Sequence, residues 1–129
     1  MISKVRQSLV SSKLLTNEEL CKQLLIIPGG FFYNDRTLKE FTIPDNVGII
    51  GDSAFANCAS LRKITLSKSV KRIGQEAFAN CLSLETIIFK GSEDDWMDID
   101  FEDNWEYNAG LSTSKHHFQI NYVREFLGE

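Results

Sequence analysis

At 129 residues the chain has room for one domain and little more. A net charge of −4 argues against general nucleic-acid affinity, which asks for a basic surface, and no apolar run reaches the length of a membrane span. The three cysteines, odd in number, are not a disulfide framework, and the opening MISKVRQSLVSSKLL lacks the apolar core and cleavage site of an export signal. A cytoplasmic setting is therefore expected, with a secreted or surface location as the runner-up.

Residues 1–27 read as a helical N-terminal cap. Ile2, Val5 and Leu9 recur at helical spacing, as do Leu20, Leu24 and Ile27. Thr16 with Glu19 makes a capping box, and Leu15 with Leu20 is placed as its hydrophobic staple. Two short helices follow, over about 2–12 and 17–26, and Pro28-Gly29-Gly30 ends the second. As a DNA-reading pair these helices fail on charge. Lys22 has Glu18 and Glu19 beside it, and they repel phosphate. No direct nucleic-acid contact is expected.

Residues 28–92 read as three coils of one repeat. Ala54, Phe55, Ala56, Asn57, Cys58, Ser60, Leu61 and Ile64 return 23 residues later as Ala77, Phe78, Ala79, Asn80, Cys81, Ser83, Leu84 and Ile87. The same step backwards meets Phe32, Asn34, Leu38, Phe41, Ile43, Val47 and Ile50, with Asp35 where the cysteine stands in the other copies. A period in the twenties marks a solenoid. Phe41-Thr42-Ile43, Ile64-Thr65-Leu66 and Ile87-Ile88-Phe89 each place their outer residues inward and the middle one outward. Stacked coils would pair these strands in parallel, about 4.8 Å apart. Val70 and Ile73 offer a second inward pair across the coil. Gly51 and Gly74 suit a tight corner or a positive φ. Asn57 and Asn80 suit turns with unpaired backbone groups. Cys58 and Cys81 read as small buried hydrophobes whose parallel side chains disfavour a disulfide.

The pattern I-G-x-x-A-F-x-x-C-x-x-L resembles the BspA-type leucine-rich repeat. It is met at every fixed position from Ile50 to Leu61 and again from Ile73 to Leu84. Phe89-Lys90-Gly91-Ser92-Glu93-Asp94-Asp95-Trp96-Met97-Asp98-Ile99 is similar to the run that closes such arrays. The resemblance covers about residues 30–105. It implies an α/β solenoid, a short right-handed coil with parallel strands. Members of the family are typically exported, surface-attached and many repeats long, so it also implies an adhesin-type role as an alternative.

Residues 93–129 read as a C-terminal cap on a single domain spanning 1–129. Glu93, Asp94, Asp95, Asp98, Asp100, Glu102, Asp103 and Glu106 crowd one stretch without a basic residue, leaving the rest of the chain net positive. Trp96, Ile99, Phe101 and Trp105 are placed to turn inward. Phe118, Ile120 and Tyr122 alternate as a last strand, and Val123, Phe126 and Leu127 follow at helical spacing. Such a tail would cover an open strand edge; an imperfect cap leaves self-association possible.

The sequence offers little chemistry. It has no phosphate-binding glycine loop, no nucleophile–base order and no paired CxxC. His116 and His117, with nearby acids, allow a metal-dependent hydrolase as a remote alternative, although adjacent histidines on a strand point apart. No enzyme activity, cofactor or metal is expected. The outward ladder remains: Glu40 and Thr42, then Arg62, Lys63 and Thr65, then Thr86 and Ile88. Together with Asp94, Asp95, Asp98, Asp100 and Asp103 it reads as a surface for a protein partner. The corresponding role is an intracellular inhibitor or adaptor.

Overall fold

The 23-residue step becomes a spatial period. The computed structural model describes residues 2–11, 15–110 and 119–122. After helices α1 (Ile2–Ser11) and α2 (Asn17–Cys21), the chain alternates between two parallel sheets. Strands β1 (Ile26–Ile27), β3 (Ile49–Ile50), β5 (Arg72–Ile73) and β7 (Asp100–Phe101) form one sheet in that order. Strands β2 (Glu40–Thr42), β4 (Lys63–Leu66), β6 (Thr86–Phe89) and β8 (Gln119–Tyr122) form the other. Helix α3 (Glu93–Met97) stands between β6 and β7. Each circuit thus visits both sheets, where the sequence suggested strands on one side and an apolar pair on the other.

The core is built of columns. Ile27 pairs with Ile50 and Ile50 with Ile73, while Phe41 pairs with Ile64 and Ile64 with Ile87. The expected alternation holds: Phe41, Ile43, Ile64, Leu66, Ile87 and Phe89 are buried, and the residues between them face outward. Between the sheets the phenylalanines stack. Phe32 lies 4.8 Å from Phe55 at 11°, and Phe55 lies 5.1 Å from Phe78 at 8°. Trp105 closes the stack edge-on, 6.3 Å from Phe78.

The turns repeat as faithfully as the strands. Gly30, Ser53, Glu76 and Asn104 all have positive φ, and so do Asn34, Asn57, Asn80 and Asn108. The column asparagines are there for the left-handed backbone that Asn tolerates better than most residues. Their amides bond along the column: Asn57 Nδ2 donates to the Tyr33 hydroxyl, and Asn108 Nδ2 to Asn80 Oδ1. Gly51 and Gly74 have no positive φ; the reason for glycine is proximity. A Cβ on Gly74 would sit 2.7 Å from the Asp52 backbone nitrogen, and one on Gly51 would sit 2.6 Å from that of Gly29.

The ends depart from the sequence reading in places. Residues 17–26 are not one helix. The Thr16–Glu19 capping box is present, but α2 stops at Cys21. Asn46, from the first corner, donates its amide to the carbonyls of Cys21 and Leu24, which releases Ile26 and Ile27 to pair as a strand. In α1, Ile2 and Val5 are exposed and Leu9 is half-buried, while Arg6 is buried. Besides the expected last strand, the segment read as a C-terminal cap carries β7, which the sequence did not suggest. β7 and β8 extend both sheets, and Glu76, Phe78 and Asn80 donate backbone N–H groups to Asp103, Trp105 and Tyr107. The final strand is as expected, with Ile120 beside Ile87 and Tyr122 beside Phe89. Phe118, Val123, Phe126 and Leu127 lie outside the described residues.

Candidate functional site

The outward side of the β2–β4–β6–β8 sheet gathers most of the ladder read from the sequence. Register sets Glu40, Lys63 and Thr86 in one row, with Thr42, Thr65 and Ile88 in the next. Gln119 and Asn121 continue the two rows in register. Lys63 Nζ lies 3.6 Å from Glu40 Oε1, an exposed cross-strand pair of small energetic worth that fixes where the charges stand. Thr42 is exposed, and Thr65, Thr86 and Ile88 are half-buried. The face is therefore flat and mixed in polarity, with short side chains at its centre. Arg62 stands exposed at the start of β4, where its carbonyl accepts from Glu85 and Thr86 N–H groups. It borders a groove of about 330 Å³ with Leu82, Ser83, Leu84, Glu85 and Gly110. Leu82 is exposed at the edge of this surface and was not singled out by the sequence pattern.

The five aspartates are not on that face. Asp94 and Asp95 lie in α3, and Asp98 is its C-terminal cap. Asp95 is committed to structure. It accepts from Ser92 N–H at 3.0 Å while Ser92 Oγ accepts from Asp95 N–H at 3.1 Å. The Ser92 N–H and hydroxyl hold its carboxyl below the usual range, with lesser help from Lys71 and Lys68. Asp100 belongs to the other sheet, in register with Arg72, and Asp103 lies in the turn that follows. Among their neighbours, Glu102 pairs with Arg72 at 3.4 Å. Glu106 is half-buried, and loss of water raises its pKa. Asp94, Asp95 and Asp98 thus belong to α3 and its cap, Asp100 to the second sheet and Asp103 to a turn.

The thiols are built into the core. Cys58 Sγ donates to Phe32 O and Cys81 Sγ to Phe55 O, each at 3.0 Å. All three cysteines are buried and free. Burial pushes the Cys21 thiol up to about 12, and the neighbouring Cys81 together with burial raises that of Cys58. Thiols so placed are poor nucleophiles. Among the described residues, no group of three or more His, Cys, Asp or Glu is arranged to hold a metal ion. His116 and His117 lie outside them.

Repeat, paired sheets and stacked rings fit a leucine-rich solenoid, and comparison with known proteins agrees. The model of the BspA-type leucine-rich repeat region matches residues 10–109 in six copies. The chain belongs to the BspA-type leucine-rich-repeat family. A solved structure similar to this family member is a leucine-rich cell surface protein from Faecalibacterium prausnitzii A2-165, with 36% identity and a TM-score of 0.58. The match covers 59% of the present chain and 20% of that protein, so the matched part corresponds to about a fifth of its length. No curated protein matches the chain. The family match begins ahead of β1, at residue 10, earlier than the start near residue 30 given by the resemblance. Ile26-Ile27, Ile49-Ile50 and Arg72-Ile73 repeat at the same 23-residue step and were the available signal. No helix among the described residues is long and apolar enough to cross a membrane.

Proposed function

We propose that this chain is a non-enzymatic protein-binding segment whose partner lies across the outward face of β2, β4, β6 and β8. The observation that carries the reading is the register of that face: Glu40–Lys63–Thr86 and Thr42–Thr65–Ile88 form two straight rows on a rigid, repeat-built sheet. Repeat solenoids bind through such extended surfaces. Arg62 and Leu82, at one edge, add an exposed charged and an exposed apolar side chain to the surface. The Glu40–Lys63 pair and Arg62 set orientation more than affinity. The helices before β1 serve as the N-terminal cap, and the segment after Phe89 closes the other end of one domain.

The cellular setting proposed is the cell surface or beyond it, because the similar solved protein is a cell surface protein. An intracellular inhibitor that uses its acids as a phosphate mimic is the weaker reading. Its aspartates would have to act as one stripe, and they stand on separate elements.

Affinity capture from the source organism, run with the wild type and with Arg62→Glu, Lys63→Glu and Thr86→Glu combined, tests the surface. A partner retained by the wild type and lost by the triple variant supports it. Equal retention by both proteins refutes it.

A further inference from the structure

Helix α3 gives this solenoid a corner that its regular coils lack. The step from Ile73 to its partner Phe101 is 28 residues, where the step from Ile50 to Ile73 is 23, and the added length carries α3. A groove of about 610 Å³ results, lined by Asp45, Lys68, Ser69, Lys71, Lys90 and Asp95. Lys68 and Lys71 come from the corner between β4 and β5, Lys90 from the end of β6, and Asp95 from α3.

The groove carries both signs of charge: Asp95 stands on α3, and on the other side exposed Asp45 lies one repeat before Lys68, at the edge of three lysines. Helical spacing sets Asp94, Asp95 and Asp98 on one side of α3, turned away from the buried Trp96. Asp95 lines the groove, and Asp94 and Asp98 are exposed next to it. Opposite them stand Lys68, Lys71 and Lys90, with Lys71 and Lys90 exposed. A simple anion drawn to the lysines is repelled by the helix, and a simple cation meets the reverse. A patch with adjoining basic and acidic halves is instead complementary to itself. Turned about a two-fold axis, each half meets its opposite.

We propose that this corner pairs two copies of the chain, with Lys71 and Lys90 of each facing Asp94 and Asp98 of the other. The contact uses none of the residues in the two rows of the β2–β4–β6–β8 face. It stands whether or not that face binds a partner.

Sedimentation equilibrium at low salt reads the pairing directly. The wild type forms a dimer that weakens as salt rises. Lys71→Glu or Asp94→Lys alone weakens it about tenfold or more, because each sets like charges together across the axis. The two substitutions combined restore the pairing, since each new residue meets the opposite charge in the other copy. Both positions are exposed, and far-UV circular dichroism confirms that the variants fold. A species of monomer mass at every concentration up to about 1 mM overturns the proposal. So does a combined variant no tighter than the single ones. The Arg62, Lys63 and Thr86 variant leaves the dimer unchanged, which separates this surface from the partner face.

Discussion

At the second and third coils a cysteine thiol reaches back to a phenylalanine carbonyl of the coil before. Asp35 occupies the equivalent position in the first coil, and Arg6 of α1 meets it. Its Nη2 donates to Asp35 Oδ2 at 3.0 Å, its Nε to Phe31 O at 2.7 Å and its Nη1 to Asn17 Oδ1 at 2.8 Å. The guanidinium also lies 4.4 Å from the Phe32 ring centre, covering the end of the ring stack. The departure of this copy from the pattern is thus a local requirement of its position. Removing one partner of a buried pair leaves the other charge unpaired, so Arg6→Ala should cost roughly 3–5 kcal/mol in urea denaturation. Burial resists ionisation of Asp35, but the Thr37 hydroxyl and N–H and then Arg6 outweigh it, and the carboxyl is held below its ordinary 3.8. A depressed folded-state pKa gives stability that is complete above the unfolded value and lost as pH falls through the folded one. The stability gap between wild type and Asp35→Asn should therefore be full at neutral pH and close as pH drops below 3.8. Gly74 sets a second limit at this scale. With backbone 2.7 Å from a would-be Cβ, Gly74→Ala forces two coils apart and should cost about 2–3 kcal/mol by the same measurement.

Elements were legible where the period was unbroken. Strands β2, β4 and β6 could be read because their alternation is strict and their partners recur at one offset. β1 was hidden by a local coincidence: Leu20, Leu24 and Ile27 also fit a helix, and a two-residue strand has no alternation to set against that. β7 was hidden by the change of step to 28, which broke the offset just where the acids drew attention. The ladder on the sheet face was legible from alternation alone. The division of the aspartates was not, because charge in a sequence says nothing of which sheet a residue joins. Helix α3 accounts for much of that division, and its start depends on the reciprocal Ser92–Asp95 bonds. Ser92→Ala should cost about 1 kcal/mol, as loss of an N-terminal cap does elsewhere. The Trp96 environment should report it, since that ring packs 5.4 Å from Phe89 and 5.0 Å from Phe101.

The whole molecule is a row of coils in which each touches its neighbours, so stability is passed along the row. Both tryptophans lie at one end, with Trp96 and Trp105 6.4 Å apart beyond Phe78. Fluorescence therefore watches the C-terminal coils while far-UV circular dichroism watches all of them. Phe55 is wholly buried between Phe32 and Phe78. Phe55→Ala removes the middle ring of the stack and should destabilise the protein by about 3–5 kcal/mol. With so few coils, no part has a core of its own, and both probes should move to the same lower denaturant midpoint. A fluorescence midpoint left at its wild-type value while the dichroism midpoint falls would mean that the C-terminal coils fold without Phe55. The sheet face would then not be the single rigid surface on which the binding role depends.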